Sequence, residues 1–81
     1  MSQIKNEIFL KQFGERIRKI RKGKGLTQVK LANDMDVEIS QISRIERGII
    51  NTSISTVKTI ADTLNVSIKE LFDFEEETMK D

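Results

Sequence analysis

Apolar residues recur along this chain at spacings of three and four, with no run of strict alternation, so the pattern is helical throughout. Phe9, Phe13, Ile17 and Ile20 are spaced to stack on one face, which predicts a first helix from about Asn6 to Lys22, stopped by Gly23 and Gly25. Thr27 can cap a short second helix that turns Val29, Leu31, Ala32 and Met35 inward. After a turn at Asp36, the stretch ISQISRIERG predicts a third helix ending near Gly48, where a left-handed residue closes a helix readily. Ser53 or Ser55 caps a fourth helix with Val57, Ile60, Ala61 and Leu64 inward. Ser67 and Glu70 form an S-x-x-E capping box ahead of Leu71 and Phe72, which predicts a short fifth helix. The tail DFEEETMKD, residues 73–81, is acidic and is expected to fray.

The third helix separates two surfaces. At 100° per residue Ile42, Ile45 and Ile49 fall within a wedge of roughly 60°, while Ser40, Ser43, Arg44 and Arg47 gather opposite. The first set seeks a core. The second combines short hydroxyls with long cations, a mixture that suits phosphate oxygens and base edges.

Length and composition narrow the function classes. A chain of 81 residues with 37% hydrophobic content fits one small domain, 1–81. There is no Cys and no His, so disulfides, thiolate metal sites and most nucleophile and base pairs are excluded, and an enzyme is not expected. No apolar run is long enough to span a membrane and the N-terminus has no signal pattern, so the expected location is the cytoplasm. Net charge is only +1, yet it is unevenly spread. Residues 1–51 hold 11 Lys or Arg against 6 Asp or Glu, and residues 52–81 hold 3 against 7. The basic portion suits a polyanion, or is a solvated helix face; the acid is directed elsewhere.

The segment LTQVKLANDMDVEISQISRIERG places two short helices about a three- or four-residue turn, the layout of a helix-turn-helix, about residues 27–47. Ala32 lets the two helices cross closely, with Leu31, Val37, Ile42 and Ile45 filling the wedge between them. LTQVKLA followed by ISRIERG resembles the Xre-type helix-turn-helix family, which includes lambdoid phage repressors and Cro and the controller proteins of restriction-modification systems. The resemblance covers about residues 10–72. It implies an all-α, compact five-helix bundle that binds double-stranded DNA as a homodimer, with the third helix in the major groove. By position it implies that Ile39, Ser40, Gln41 and Arg44 face bases, and that Thr27, Gln28, Ser43, Arg47 and Asn51 contact the DNA backbone. It also implies a partly buried ion pair between Arg21 and Glu46, although the basic run RKIRK offers other arginines for that role.

The residues themselves support these assignments unequally. Arg44 can bind guanine O6 and N7 with two hydrogen bonds. Gln41 can pair with adenine or with backbone; Ile39 can meet a thymine methyl or cap the core. Gln28 stands at a helix N-terminus, where free amides favour an anion. Two positions depart from the family pattern. Asp36 occupies a turn position usually held by Gly. Glu38 stands where Ser or Thr is common; its carboxylate suits the helix dipole, repels a nearby phosphate, or accepts from cytosine N4.

The expected function is sequence-specific transcriptional regulation, most simply repression by a dimer covering a promoter, with no cofactor, metal or small-molecule ligand. Leu64, Val66, Ile68, Leu71, Phe72 and Phe74 exceed what so short a C-terminal segment needs for its own core, and either form the dimer contact or seal the bundle. The alternative is an antitoxin-like adaptor that docks a protein through its acidic C-terminal part.

Overall fold

Among the described residues, four of the five helices begin where a short polar side chain satisfies a backbone amide that the helix itself leaves free. The computed structural model describes residues 4–77, and the last four residues of the acidic tail lie outside the described residues. Helix α1 spans Glu7–Gly23, α2 Gln28–Met35, α3 Ile39–Glu46, α4 Ile54–Leu64 and α5 Ile68–Leu71. Asn6, Thr27, Ser53 and Ser67 accept from Phe9, Lys30, Thr56 and Glu70 amides respectively, and Glu70 completes the capping box. Glu38 precedes α3 in extended conformation but makes no capping hydrogen bond with its side chain.

Helices α1 to α4 all end in the same way. A residue in left-handed conformation follows the helix, and the next amide reaches back to a carbonyl five residues earlier. The four residues are Gly25, Asp36, Gly48 and Asn65, with φ of 74°, 58°, 72° and 57°. The closures run from Leu26 to Arg21, Val37 to Ala32, Ile49 to Arg44 and Val66 to Ala61, at 3.0–3.1 Å. Asp36 thus adopts the conformation that its position demands, in spite of its Cβ. Gly25 terminates α1, and Gly23 is its last helical residue.

Leu31, Ile42, Ile60 and Leu71 are fully buried at the centre, with Phe13, Ile17, Ala32, Ile45 and Leu64 around them. The α2–α3 wedge is filled as the spacing predicts, and Ala32 lies buried within it. Two inward assignments fail. Val29 is 53% exposed, because an eight-residue helix turns only about a third of its surface to the core. Ile49 is 43% exposed because α3 stops at Glu46 and Gly48 redirects the chain, which takes Ile49 off the helical wedge.

The C-terminal apolar residues divide differently from the expectation. Leu64 and Leu71 are core residues, at most 1% exposed, so neither is available for a surface contact in this fold. Val66 and Phe74 are half-buried against the core, and only Ile68 and Phe72 leave substantial apolar surface. Phe9, Phe13, Phe72 and Phe74 form one aromatic cluster joining α1 to the C-terminal segment, with Phe13 and Phe72 stacked at 4.9 Å. Residues 73–77 lie against α1: Phe74 packs on Phe9, and Gln12 holds the backbone of Glu75 and Glu77.

Candidate nucleic-acid interface

Helix α3 is only eight residues long and could not hold its shape alone, so its position is set by what lies beneath it. On the core side, Ile42 and Ile45 are buried. At its C-terminal end, Glu46 is 6% exposed and faces Arg21, also 6% exposed. Arg21 Nε donates to Glu46 Oε2 at 2.6 Å and its NH2 donates to Oε1 at 2.9 Å, a fork-on-carboxylate pair. Arg21 NH1 donates to the Leu26 carbonyl at 2.8 Å, and Gln28 Nε2 donates to Glu46 Oε1 at 2.9 Å. The hydrogen bonds that Arg21 donates to Glu46 push its guanidinium pKa above the ordinary value; burial opposes this, and the Coulombic attraction of Glu46 adds to it. Among the arginines of RKIRK, Arg21 is therefore the one that braces α3, and no buried side-chain polar atom among the described residues lacks a partner.

The brace includes a close approach of backbones. A Cβ at Gly14 would overlap the carbonyl groups of Ile45 and Glu46, and one at Gly48 would lie 2.6 Å from the Lys11 nitrogen. Helix α1 thus rests directly on the last turn of α3 and on the turn beyond it. Gly48 is legible as a helix stop, whereas Gly14, in the middle of a helix, has no sequence signal except that glycine is costly there and needs a packing reason.

The outer face of α3 carries the residues singled out from the sequence. Ser40 and Arg44 are exposed, Gln41 is half-buried, and Ile39 is 44% exposed rather than in the core. No hydrogen bond ties the Gln41 side chain to backbone among the described residues, and no carboxylate lies within salt-bridge distance of Arg44. Next to this face an open basin of about 390 Å³ is lined by Arg18, Arg21, Gln28, Ser43, Glu46 and Arg47. Gln28 is the first residue of α2, so its backbone amide has no partner within the helix. One hydrogen of its side-chain amide is spent on Glu46, which leaves the second hydrogen for an anion. Thr27 Oγ1 accepts the capping bond and keeps its own proton for donation. Arg47 Nε lies 3.4 Å from the Ser43 carbonyl, with the rest of the guanidinium exposed.

Asn51 stands apart from this basin. Its Nδ2 donates to the Ile4 carbonyl at 3.0 Å, and it borders an apolar groove with Ile4, Phe9, Ile54 and Phe72. Arg18 was not among the expected contacts, yet it stands one turn before Arg21 on the same side of α1. That i, i+3 spacing is the signal that places it at the basin rim. The assembly is a cationic surface with a rigid base: Arg18, Arg44 and Arg47 project from α1 and α3, with a helix N-terminus among them. Such an arrangement can bind phosphate oxygens and present side chains to base edges. Among the described residues no group of His, Cys, Asp or Glu could hold a metal ion, and no helix is long and apolar enough to cross a membrane.

Known proteins share the sequence pattern and the fold. Residues 17–71 match the family described as helix-turn-helix. The chain is 41% identical over 63 residues to the control protein C.BamHI of Bacillus amyloliquefaciens, covering 76% of this chain and 78% of that protein. It is 38% identical over 58 residues to the immunity repressor protein of Bacillus phage phi105, covering 72% of this chain and 40% of the repressor. The restriction-modification controller protein C.AhdI of Aeromonas hydrophila superposes with a TM-score of 0.76 at 36% identity, over 78% of this chain and 96% of that one. These relatives are regulators rather than enzymes, and the chain belongs to the Xre-like helix-turn-helix family of DNA-binding transcriptional regulators.

Proposed function

We propose that the chain acts as one cytoplasmic helix-turn-helix domain, a repressor that binds a palindromic operator as a homodimer. Each α3 enters the major groove of a half-site, and the two half-sites lie about one helical turn apart. Arg44 reads guanine through a two-bonded contact worth ~1 to 3 kcal/mol of discrimination. Ser40 and Gln41 contact neighbouring base edges, and Ile39, which is exposed, meets a thymine methyl. Thr27, Gln28, Ser43 and Arg47 hold backbone phosphates around the basin; Asn51, on the loop between α3 and α4, contributes at the margin. Ile68 and Phe72 supply the exposed apolar part of the dimer contact.

The observation that carries this reading is the contrast between the arginine beneath α3 and those on its outer face and at its end. The cation at one end of the brace, Arg21, is buried and fully paired, whereas Arg44 and Arg47 stand exposed without a carboxylate partner among the described residues. The related immunity repressor supports a repressing role. The test is selection of bound duplexes from a randomised library at about 150 mM salt, repeated with Arg44→Ala. A two-fold symmetric motif that loses one base preference in the variant is expected. Binding without an enriched motif, vanishing as salt rises, would reject sequence-specific regulation.

A further inference from the structure

The acidic C-terminal segment lies against a basic face of α1, and it is held there mainly through its backbone and Phe74, with one long ion pair from Arg16 NH2 to Asp73 Oδ2 at 4.0 Å. Gln12 on α1 acts as a clamp: its Nε2 donates to the Glu75 carbonyl at 2.7 Å, and its Oε1 accepts from the Glu77 amide at 3.1 Å. The side-chain amide thus reads one carbonyl and one N–H of an extended segment, as a neighbouring strand would. Phe74 anchors the segment on Phe9 with centroids 5.5 Å apart, and Arg16 Nε donates to the Glu70 carbonyl at 2.9 Å. An open groove of about 580 Å³ remains beside it, lined on α1 by Arg16, Arg18, Lys19 and Lys22 together with Gln12 and one acid, Glu15, and on the C-terminal segment by Phe74 and Glu77. Among the described residues Glu75, Glu76 and Glu77 make no salt bridge. Their charges are therefore kept solvated and close to the α1 cations without being neutralised.

Arg18 lines this groove and also the basin between α1, α2 and α3. We propose that the outer face of α1 is an anion-binding groove whose resident occupant is the chain's own segment Asp73–Glu77, and that DNA phosphates compete with this segment for Arg18, Lys19 and Lys22. The inference rests on the DNA-binding reading above. It gives the acidic end a role within the molecule: the docked segment lowers the positive potential that a phosphate meets at the edge of the basin, and so restrains binding that depends on the backbone alone.

The test measures affinity for a labelled mixed-sequence duplex by fluorescence anisotropy, for the full chain and two variants. E75Q/E76Q/E77Q removes three of the segment's four carboxylate charges, leaving Asp73, and keeps the backbone clamp. Gln12→Ala keeps every charge and removes the clamp. The triple variant is expected to bind about threefold to tenfold tighter at about 50 mM salt, with the gain shrinking at about 300 mM. Gln12→Ala is expected to bind about twofold to threefold tighter, because an undocked segment spends most of its time away from α1. Tightening in the triple variant with no change in Gln12→Ala would show a general charge effect and overturn the docking proposal. No change in either would overturn the competition. Hydrogen exchange at the Glu77 amide provides a readout without affinity: protection in the free protein, lost in Gln12→Ala and lost when duplex is added. Protection that survives duplex binding refutes the proposal while leaving DNA binding intact, whereas a wild-type chain that binds no duplex refutes the underlying reading.

Discussion

Glu46→Gln removes one charge from a buried site and changes almost nothing in volume. The Glu46 carboxylate accepts three hydrogen bonds, two from Arg21 and one from Gln28. A glutamine offers a single accepting oxygen, and its amide group turns two more donors towards an arginine that has only donors to offer. Arg21 then keeps its bond to the Leu26 carbonyl and one bond to the new side chain, while a guanidinium 6% exposed remains charged. Breaking a buried ion pair by removing one partner typically costs ~3 to 5 kcal/mol. Because glutamine retains one bond, the cost here is expected at about 3 kcal/mol.

For a domain of this size, 1 kcal/mol moves Tm by roughly 4 to 8 °C, so the variant should melt about 15 °C below the wild type. Thermal unfolding followed by circular dichroism measures this directly, and a fall of less than about 3 °C would mean that the pair behaves as a surface one. A control separates lost pairing from lost packing. Replacing both partners, Arg21→Met with Glu46→Leu, removes the stranded charge and should recover most of the loss. The pH dependence carries its own sign. With the Arg21 pKa raised by folding, its contribution is fully present below the ordinary guanidinium value and is lost only as pH rises through the folded one. The stability difference between wild type and Glu46→Gln should therefore show no arginine titration between about pH 6 and 10.

Three further perturbations test other parts of the scaffold. Gly14→Ala forces a methyl group into the Ile45 and Glu46 carbonyls, and since backbone must move, a loss of about 3 kcal/mol in urea denaturation is expected; a neutral result would disprove the close approach. Asp36→Gly removes the left-handed penalty at φ 58° and should gain about 0.5 kcal/mol after the entropic cost of glycine, read as a higher urea midpoint. Arg47→Ala should weaken binding equally for operator and unrelated duplexes and reduce the slope of log K against log salt by about 1, whereas a loss confined to one base position would make Arg47 a base reader.

The helices were legible because their signals are local. Thr27 and Ser67 announce their helices by side chains that reach only three residues ahead, and both caps form as spaced; of the two serines open to α4 it is Ser53 that caps, and Asn6, read as the approximate start of α1, is its cap. Burial was less legible where an element ends. Ile49 fits the α3 wedge by angle alone, but Gly48 ends the helix before it, so helical geometry no longer applies. Leu64 and Leu71 illustrate the opposite case. Surplus apolarity near a terminus is compatible with an interface or with a core, and only the packing of α5 against α1 and α4 decides for the core. Gly14 and the Gln12 clamp were not found because each depends on residues far apart in the chain, whereas Arg18 carried a local signal in its i, i+3 spacing from Arg21.

These non-local contacts explain how a two-turn helix can serve as a reading head. The propensity of α3 is too weak for eight residues to fix an orientation, so any precision at Arg44 must be inherited from what lies beneath it. Three constraints act at its last turn: the carbonyls of Ile45 and Glu46 rest on Gly14, Gly48 rests on Lys11, and Glu46 is gripped by Arg21. All three lead back to α1, while Gln28 links the same carboxylate to the start of α2. One carboxylate therefore sets the spacing between the helix that would read bases and the helix N-terminus that would hold a phosphate. A change at Glu46 should consequently weaken DNA binding even at temperatures where the variant remains folded, because it loosens the register between the two contacts rather than removing either.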